Sequence, residues 1–329
     1  MIGLAKLAPG DGNVDLVERE ERAPGPGEVT LDVHAVGVCG TDLHIWSGEY
    51  PSAPPMTMGH EVCGTVAGLG AGVDDAWRGA RVAVETFFST CGACRYCRAG
   101  KLSVCAQRRS IGTHVDGGFA PRLVLPARNL HRVPETLADE AAALSEPLAC
   151  VCNSMLDPNA VQPGDDVMVV GPGAIGLIAG QVARACGGRV TVRGTERDDA
   201  RLALAGALGF ATSVAGRDAP PDADVVVECS GAGPGIADAL TAARPRGRIV
   251  QMGLRGADVT IPYDLICFHE LTVSAGFASN PQSWRRAMAL LGEVELAPLV
   301  TDVLPLREWR RAFEASRAGD GVKYVLDPR

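Results

Sequence analysis

The segment Asp166–Gly176 (DVMVVGPGAIG) constrains this chain more than any other. A near-continuous apolar run leads into Gly171-Pro172-Gly173-Ala174-Ile175-Gly176, and a stretch of helical character follows over Ala174–Cys186. An apolar run without alternation is the mark of a strand buried on both faces. The glycines then follow the pattern G-x-G-x-x-G. The first permits a tight turn, the second lets backbone approach a pyrophosphate, and the third lets helix and strand pack closely. The N–H groups that open the helix face the phosphates. Gly171, Gly173 and Gly176 are therefore expected to bind a dinucleotide.

The segments around this motif extend the pattern. Strand-like Arg189–Val192, Asp224–Cys229, Arg248–Met252 and Leu271–Ala275 alternate with helix-like Asp198–Leu208 and Gly233–Ala243. Such alternation predicts an α/β fold with a doubly wound parallel sheet. An acid is expected about 20 residues beyond the glycines, at the end of the second strand. Glu196 stands there, where a carboxylate bonds ribose hydroxyls and repels a 2′-phosphate. That favours NAD. Arg193, Arg197 and Arg201 lie close by and leave NADP open, since a guanidinium can hold a 2′-phosphate.

Before about Leu148 the texture differs. Val29–Val38, Glu61–Leu69 and Ala80–Thr86 read as short strands broken by Gly and Pro, which suggests a compact, mostly β domain. After about residue 280, Trp284–Leu291 and Leu306–Arg317 look helical and Val322–Leu326 looks like a strand. The expected organisation is a catalytic domain over 1–148, a nucleotide domain over 149–280, and a segment 281–329 that returns to the first domain. A cleft between the two domains is expected.

Composition excludes several roles. A net charge of -8 argues against nucleic acid, which calls for a concentrated positive field. No run of about 18 apolar residues suggests a membrane span. The N-terminus lacks a basic start followed by an apolar stretch, so it does not read as a secretory signal. The 11 cysteines are clustered, which points to metal ligation in a reducing cytoplasm and away from disulfides.

Cys91, Cys94, Cys97 and Cys105 form C-x2-C-x2-C-x7-C. Four thiolates so close suit a closed tetrahedral zinc site, which leaves no open position for chemistry. An iron–sulfur cluster is also held by four cysteines, but nothing else in the chain suggests electron transfer. A second set is spread out: Cys39 in GVCGTD, His60 and Glu61 in GHE, and Glu146 in SEPLA. A catalytic zinc takes about three protein ligands and keeps one place for water or substrate. Cys39, His60 and a carboxylate satisfy that requirement, although their spacing does not pair them.

CGTD at Cys39–Asp42, GHE at Gly59–Glu61, the four-cysteine loop and GPGAIG after a strand occur in one order. In that order the chain resembles the zinc-containing medium-chain dehydrogenase/reductase family, essentially end to end. SEPLA around Glu146 is similar to the sorbitol and polyol dehydrogenase branch, and CGTDLHIW at Cys39–Trp46 to threonine 3-dehydrogenases. The resemblance implies a GroES-like catalytic domain and a Rossmann domain. It implies a catalytic zinc held by Cys39 and His60, with Glu61 and Glu146 as the carboxylates at that zinc. Either could ligate directly or hold a bound water. It implies a structural zinc on the four-cysteine loop. Asp42 would orient His60, as metal-bound histidines require. Thr41 would take the substrate proton and His44 pass it toward solvent. Ile175, Glu196 and Arg201 would contact NAD, and Cys229–Gly231 and Met252–Leu254, with Gly253 among them, would line the nicotinamide side. Two departures bear on substrate. Ile45 stands where sorbitol dehydrogenases place Tyr, and Gly276-Phe277-Ala278-Ser279 where they carry an Arg-Tyr pair.

The resulting expectation is a cytoplasmic oxidoreductase, a homodimer or homotetramer, that reversibly oxidises a small secondary alcohol (a polyol, sugar, cyclitol or amino alcohol) to a ketone. Two rival readings share the fold: a zinc-free quinone or enone reductase, and a non-catalytic nucleotide-binding protein.

Overall fold

The computed structural model describes residues 1–329, which fall into two compact units. The first comprises Met1–Glu146, Ser279–Trp284 and Val300–Arg329; the second comprises Pro147–Ala278 and Arg285–Leu299. The returning segment is thus narrower than 281–329. Residues 285–299 group with the second unit because its helix Ala174–Ala185 captures them: the Gln181 amide donates to the Glu295 carbonyl (3.1 Å) and accepts from the Glu295 N–H (2.7 Å).

The first unit is built on a seven-stranded sheet. Its central strand Glu28–Gly37 alternates buried Val29, Leu31 and Val33 with half-buried Thr30, Asp32 and His34, the period-two pattern of a strand with one face on a core. It pairs antiparallel with Glu61–Leu69 on one side and, at its far end, with Lys323–Asp327 on the other. The C-terminal strand therefore lies beside the strand end from which Cys39 departs. The core gathers Leu31, Val33, Val62, Phe119, Trp309 and Phe313.

The second unit is a six-stranded parallel sheet. Its strands are β1 (Asp166–Val170), β2 (Arg189–Gly194), β3 (Ala211–Val214), β4 (Ala223–Glu228), β5 (Ala243–Gln251) and β6 (Thr272–Ala275). Their spatial order is β3-β2-β1-β4-β5-β6, so the order reverses between β1 and β4. In open parallel sheets, ligands bind outside the carboxyl ends of the strands at such a reversal. No helix is long and apolar enough to cross a membrane.

Candidate functional site

The first unit brings together the scattered set. Cys39 follows the strand Glu28–Gly37 and caps the helix Gly40–Trp46, where its N–H donates to Asp42 Oδ2 at 2.9 Å. His60 and Glu61 open the neighbouring strand. Ligand atoms of Cys39, His60 and Glu61 lie within 4.8 Å of one another. The close approach depends on Gly37, where a Cβ would stand 2.0 Å from Glu61 Oε2.

The polar surroundings call for a cation. Asp42 is wholly buried; its Oδ1 faces His60 Nδ1 at 3.7 Å, and neither atom has a hydrogen-bond partner. Burial opposes a charge on His60, yet the charges of Asp42, Cys39 and Glu146 outweigh it and hold its pKa well above the ordinary histidine value. Burial also lifts the Asp42 carboxyl above its usual range, against the pull of His60. With Nδ1 turned to Asp42, the other ring nitrogen faces the thiol. A thiol, an imidazole and carboxylates suit zinc, and a carboxylate behind the imidazole is the support such a ligand normally has. The residues present fit that metal.

Glu146 lies outside the 4.8 Å group, and its Oε1 accepts from the Thr86 hydroxyl at 2.8 Å. Glu61 carries a partner that sequence reasoning did not find. Buried Lys323 donates from Nζ to both Glu61 oxygens (2.7 and 2.8 Å) and to the Val38 carbonyl (3.0 Å). Burial alone would depress the Lys323 ammonium, but Glu61, Cys39 and Asp42 raise it above the usual lysine value. The available signal was a lone lysine heading the apolar strand KYVL.

On the helix Gly40–Trp46, Thr41 is half-buried and His44 is exposed, three residues apart and hence on one face. His44 Nδ1 meets Glu49 Oε2 at 2.7 Å, a second partner the sequence did not suggest. Ile45, by contrast, is fully buried in the core, and Trp46 packs edge-on against Trp309 and Phe313.

The four cysteines form the other ligand group, again within 4.8 Å. Three of the sulfurs accept N–H groups of their own loop: Cys94 N to Cys91 (3.3 Å), Cys97 N to Cys94 (3.4 Å) and Cys91 N to Cys105 (3.5 Å). The Cys94 N–H, first among several donors, pulls the Cys91 thiol down to about 6. Four sulfurs within reach of one another, three of them accepting loop N–H groups, fit a tetrahedral metal ion.

In the second unit the glycine motif has the expected form. Gly171 takes φ +96°, and a Cβ at Gly176 would sit 1.9 Å from the Gly171 carbonyl oxygen. A Cβ at Gly173 would meet nothing within 4 Å, and no side chain caps the helix that starts there. This open, uncapped N-terminus fits a pyrophosphate. Ile175 is half-buried at the helix start, and Gly253 follows β5. Glu196 is exposed just past β2. Asp198 accepts from the Thr195 N–H and hydroxyl (2.9 and 2.8 Å), and Arg201 lies 3.6 Å from it. Arg193 corrects one expectation. It is buried and points inward to Asp238 (2.9 Å) and Ser213 Oγ (2.6 Å), so it is not available to a 2′-phosphate.

Comparison with known proteins agrees with this geometry. Residues 25–135 match the alcohol dehydrogenase GroES-like domain, and residues 174–293 match the zinc-binding dehydrogenase family. A sorbitol dehydrogenase of Halalkalibacterium halodurans is 35% identical, over 100% of this chain and 99% of its own. An L-threonine 3-dehydrogenase of Deinococcus radiodurans is 33% identical, over 99% and 98%. A structure from Sinorhizobium meliloti 1021, described as a zinc-binding dehydrogenase bound to NADP, superimposes with a TM-score of 0.90 at 33% identity and covers 99% of each chain. The chain belongs to the zinc-containing medium-chain dehydrogenase/reductase family. It is an enzyme, an oxidoreductase of the alcohol dehydrogenase type.

Proposed function

We propose that this enzyme reversibly oxidises a secondary alcohol, of the polyol, sugar, cyclitol or amino-alcohol class, to a ketone with NAD. The observation that carries this reading is the Cys39–His60–Glu61 group, its imidazole and carboxylate buried and its thiol half-buried, with the unpartnered Asp42 Oδ1 and His60 Nδ1 behind it. Zinc bound there would act as a Lewis acid toward an alcohol oxygen, making proton loss accessible near neutral pH. Nicotinamide supplies the hydride acceptor.

The remaining steps fall to the chain. Cys39 and His60 would hold the metal, and Asp42 would fix the His60 ring. Lys323 clamps Glu61 by both oxygens, so Glu61 serves at the metal under restraint and Glu146, held by Thr86, supplies the other carboxylate. Thr41 accepts the substrate proton. His44, oriented by Glu49, passes it to solvent. Gly171, Gly173, Ile175 and Gly176 seat the pyrophosphate, and Gly253 lines the nicotinamide side. Glu196, with Arg193 withdrawn, favours NAD; Arg201, 3.6 Å from Asp198, would contact the adenosine ribose. Cys91, Cys94, Cys97 and Cys105 would hold a second zinc, which would brace the fold without taking part in chemistry.

The edge of the second unit supports a homo-oligomer. Strand β6 is the last of its sheet; Val273 within it and Phe268 in the short helix before it are 48% and 78% exposed. An apolar, unpaired edge invites pairing with a second copy. Cysteines gathered as metal ligands support a reducing cytoplasm.

The test is absorbance of reduced cofactor with zinc-loaded protein over polyols, aldoses, cyclitols, amino alcohols and L-threonine, with NAD and NADP in parallel. Chelator-sensitive turnover with NAD is the expected result. Turnover indifferent to metal would overturn the mechanism, and preference for NADP would overturn the cofactor choice.

A further inference from the structure

Glu228, the last residue of β4, is wholly buried, and the chemistry proposed above does not use it. Its Oε1 accepts from the Ser230 N–H (2.8 Å), the Ser230 hydroxyl and the Gly231 N–H (3.1 Å). Its Oε2 accepts from Gln251 Nε2 (2.6 Å) and again from Gly231 N–H (3.2 Å). The Ser230 and Gly231 N–H groups and the Gln251 amide can only donate, and between them they meet both oxygens, an arrangement that suits a carboxylate. None of those donors carries a charge. Burying a carboxylate without a cation is costly, and a buried charge normally has a partner.

The position of the group indicates what the partner is. Ser230 and Gly231 follow β4; Gln251 and Gly253 end and follow β5. Gln251 Nε2 also donates to the Gly253 carbonyl (2.9 Å), and the Glu228 carbonyl accepts from the Met252 and Gly253 N–H groups (2.8 and 2.9 Å). The carboxylate thus braces two loops at the carboxyl ends of adjacent strands. A Cβ on Gly253 would stand 2.5 Å from Glu228 Oε2, so only a glycine backbone covers the charge on that side. The glycine loop after β1 takes the pyrophosphate, and the acid-bearing tip after β2 takes the adenosine ribose. Since the sheet order is β3-β2-β1-β4-β5-β6, the other nucleoside falls on the β4–β5 side. In its oxidised form that nucleoside carries a positively charged ring, which becomes neutral on reduction. The charge also reaches outward: burial first, and Glu228 second, push the neighbouring Cys229 thiol upward.

We infer that Glu228 is a positioning residue whose buried charge favours the oxidised cofactor over the reduced one, biasing this enzyme toward alcohol oxidation. The inference rests on the dehydrogenase reading. A purely structural brace would affect both cofactor forms alike, whereas a charge beside the ring distinguishes them.

The experiment measures dissociation constants of NAD+, NADH and ADP-ribose for the wild type and Glu228→Gln; NADP+ and NADPH replace the first two if the wild type holds them more tightly. The expected result is unchanged ADP-ribose binding, NADH binding within about twofold, and NAD+ binding weakened about tenfold. Equal changes for NAD+ and NADH, or none, overturn the inference. If Glu228→Gln loses ADP-ribose binding and so has not folded, Gln251→Leu decides. It removes a donor from the carboxylate, so NAD+ binding must tighten relative to NADH, and an unchanged ratio overturns the inference. A wild type that binds neither cofactor pair would instead sink the dehydrogenase reading itself.

Discussion

The two cysteine-bearing groups of the first unit are built in opposite ways. Cys91, Cys94, Cys97 and Cys105 lie within one loop, and the sulfurs of Cys91, Cys94 and Cys105 accept N–H groups of that same loop. Cys39, His60 and Glu61 come from separate strand ends and are supported by Asp42 and by Lys323, which arrives from the C-terminal strand. The loop can assemble a tetrahedral site from local chain alone. The buried group exists only when the sheet is complete, and its charges are paid for by partners distant in sequence. A ligand set saturated by four thiolates suits bracing; a buried set of three with a constrained carboxylate suits chemistry.

This contrast makes separable predictions. Cys39→Ser should lower turnover about a thousandfold, since a Lewis-acid metal is worth several kcal/mol, while the thermal midpoint and the metal on the four-cysteine loop hardly change. Steady-state rates with metal analysis check this, and a variant of near-normal activity would remove the basis for calling the buried group catalytic. Lys323→Met leaves Glu61 buried with its ammonium partner gone and should cost about 3–5 kcal/mol in urea unfolding. A loss below about 1 kcal/mol would mean that this pair does not couple the C-terminal strand to the strand Glu61–Leu69. Asp42→Asn keeps the side-chain shape but weakens the support of His60, so zinc should bind about 10–100-fold more weakly at the buried group only; competition with a chromogenic chelator reads this out. Cys97→Ser should lower the thermal midpoint by about 5–10 °C, from about 2–3 kcal/mol of lost bracing, with turnover per folded molecule altered less than about threefold. A large fall in turnover without loss of stability would erase the distinction between the two groups.

The same contrast explains what could be read from sequence. The four-cysteine loop and the glycine motif are local, and local geometry follows from spacing. The strand-helix alternation of the second unit was legible because its apolar runs alternate with helical periodicity. The Cys39–His60–Glu61 group was legible only through resemblance, since no spacing links Cys39 to His60 and Glu61. Lys323 and Thr86 escaped because each is defined by a cross-strand or cross-loop partner that no spacing encodes. Arg193 illustrates the converse error: its place in sequence suggested a phosphate contact, but its side chain turns inward to Asp238 and Ser213. The limits of the returning segment were blurred for a similar reason, as a single buried glutamine, Gln181, draws 285–299 to the second unit.

The most direct test is to withdraw metal from the wild-type enzyme in stages with a chelator, counting bound zinc and measuring alcohol-dependent cofactor reduction on the same samples. The account predicts two zinc ions per chain at the start, with activity falling in step with the loss of one of them, and restored when that one ion is returned. Full activity after both ions have left, or activity that tracks only the four-cysteine loop, would contradict it.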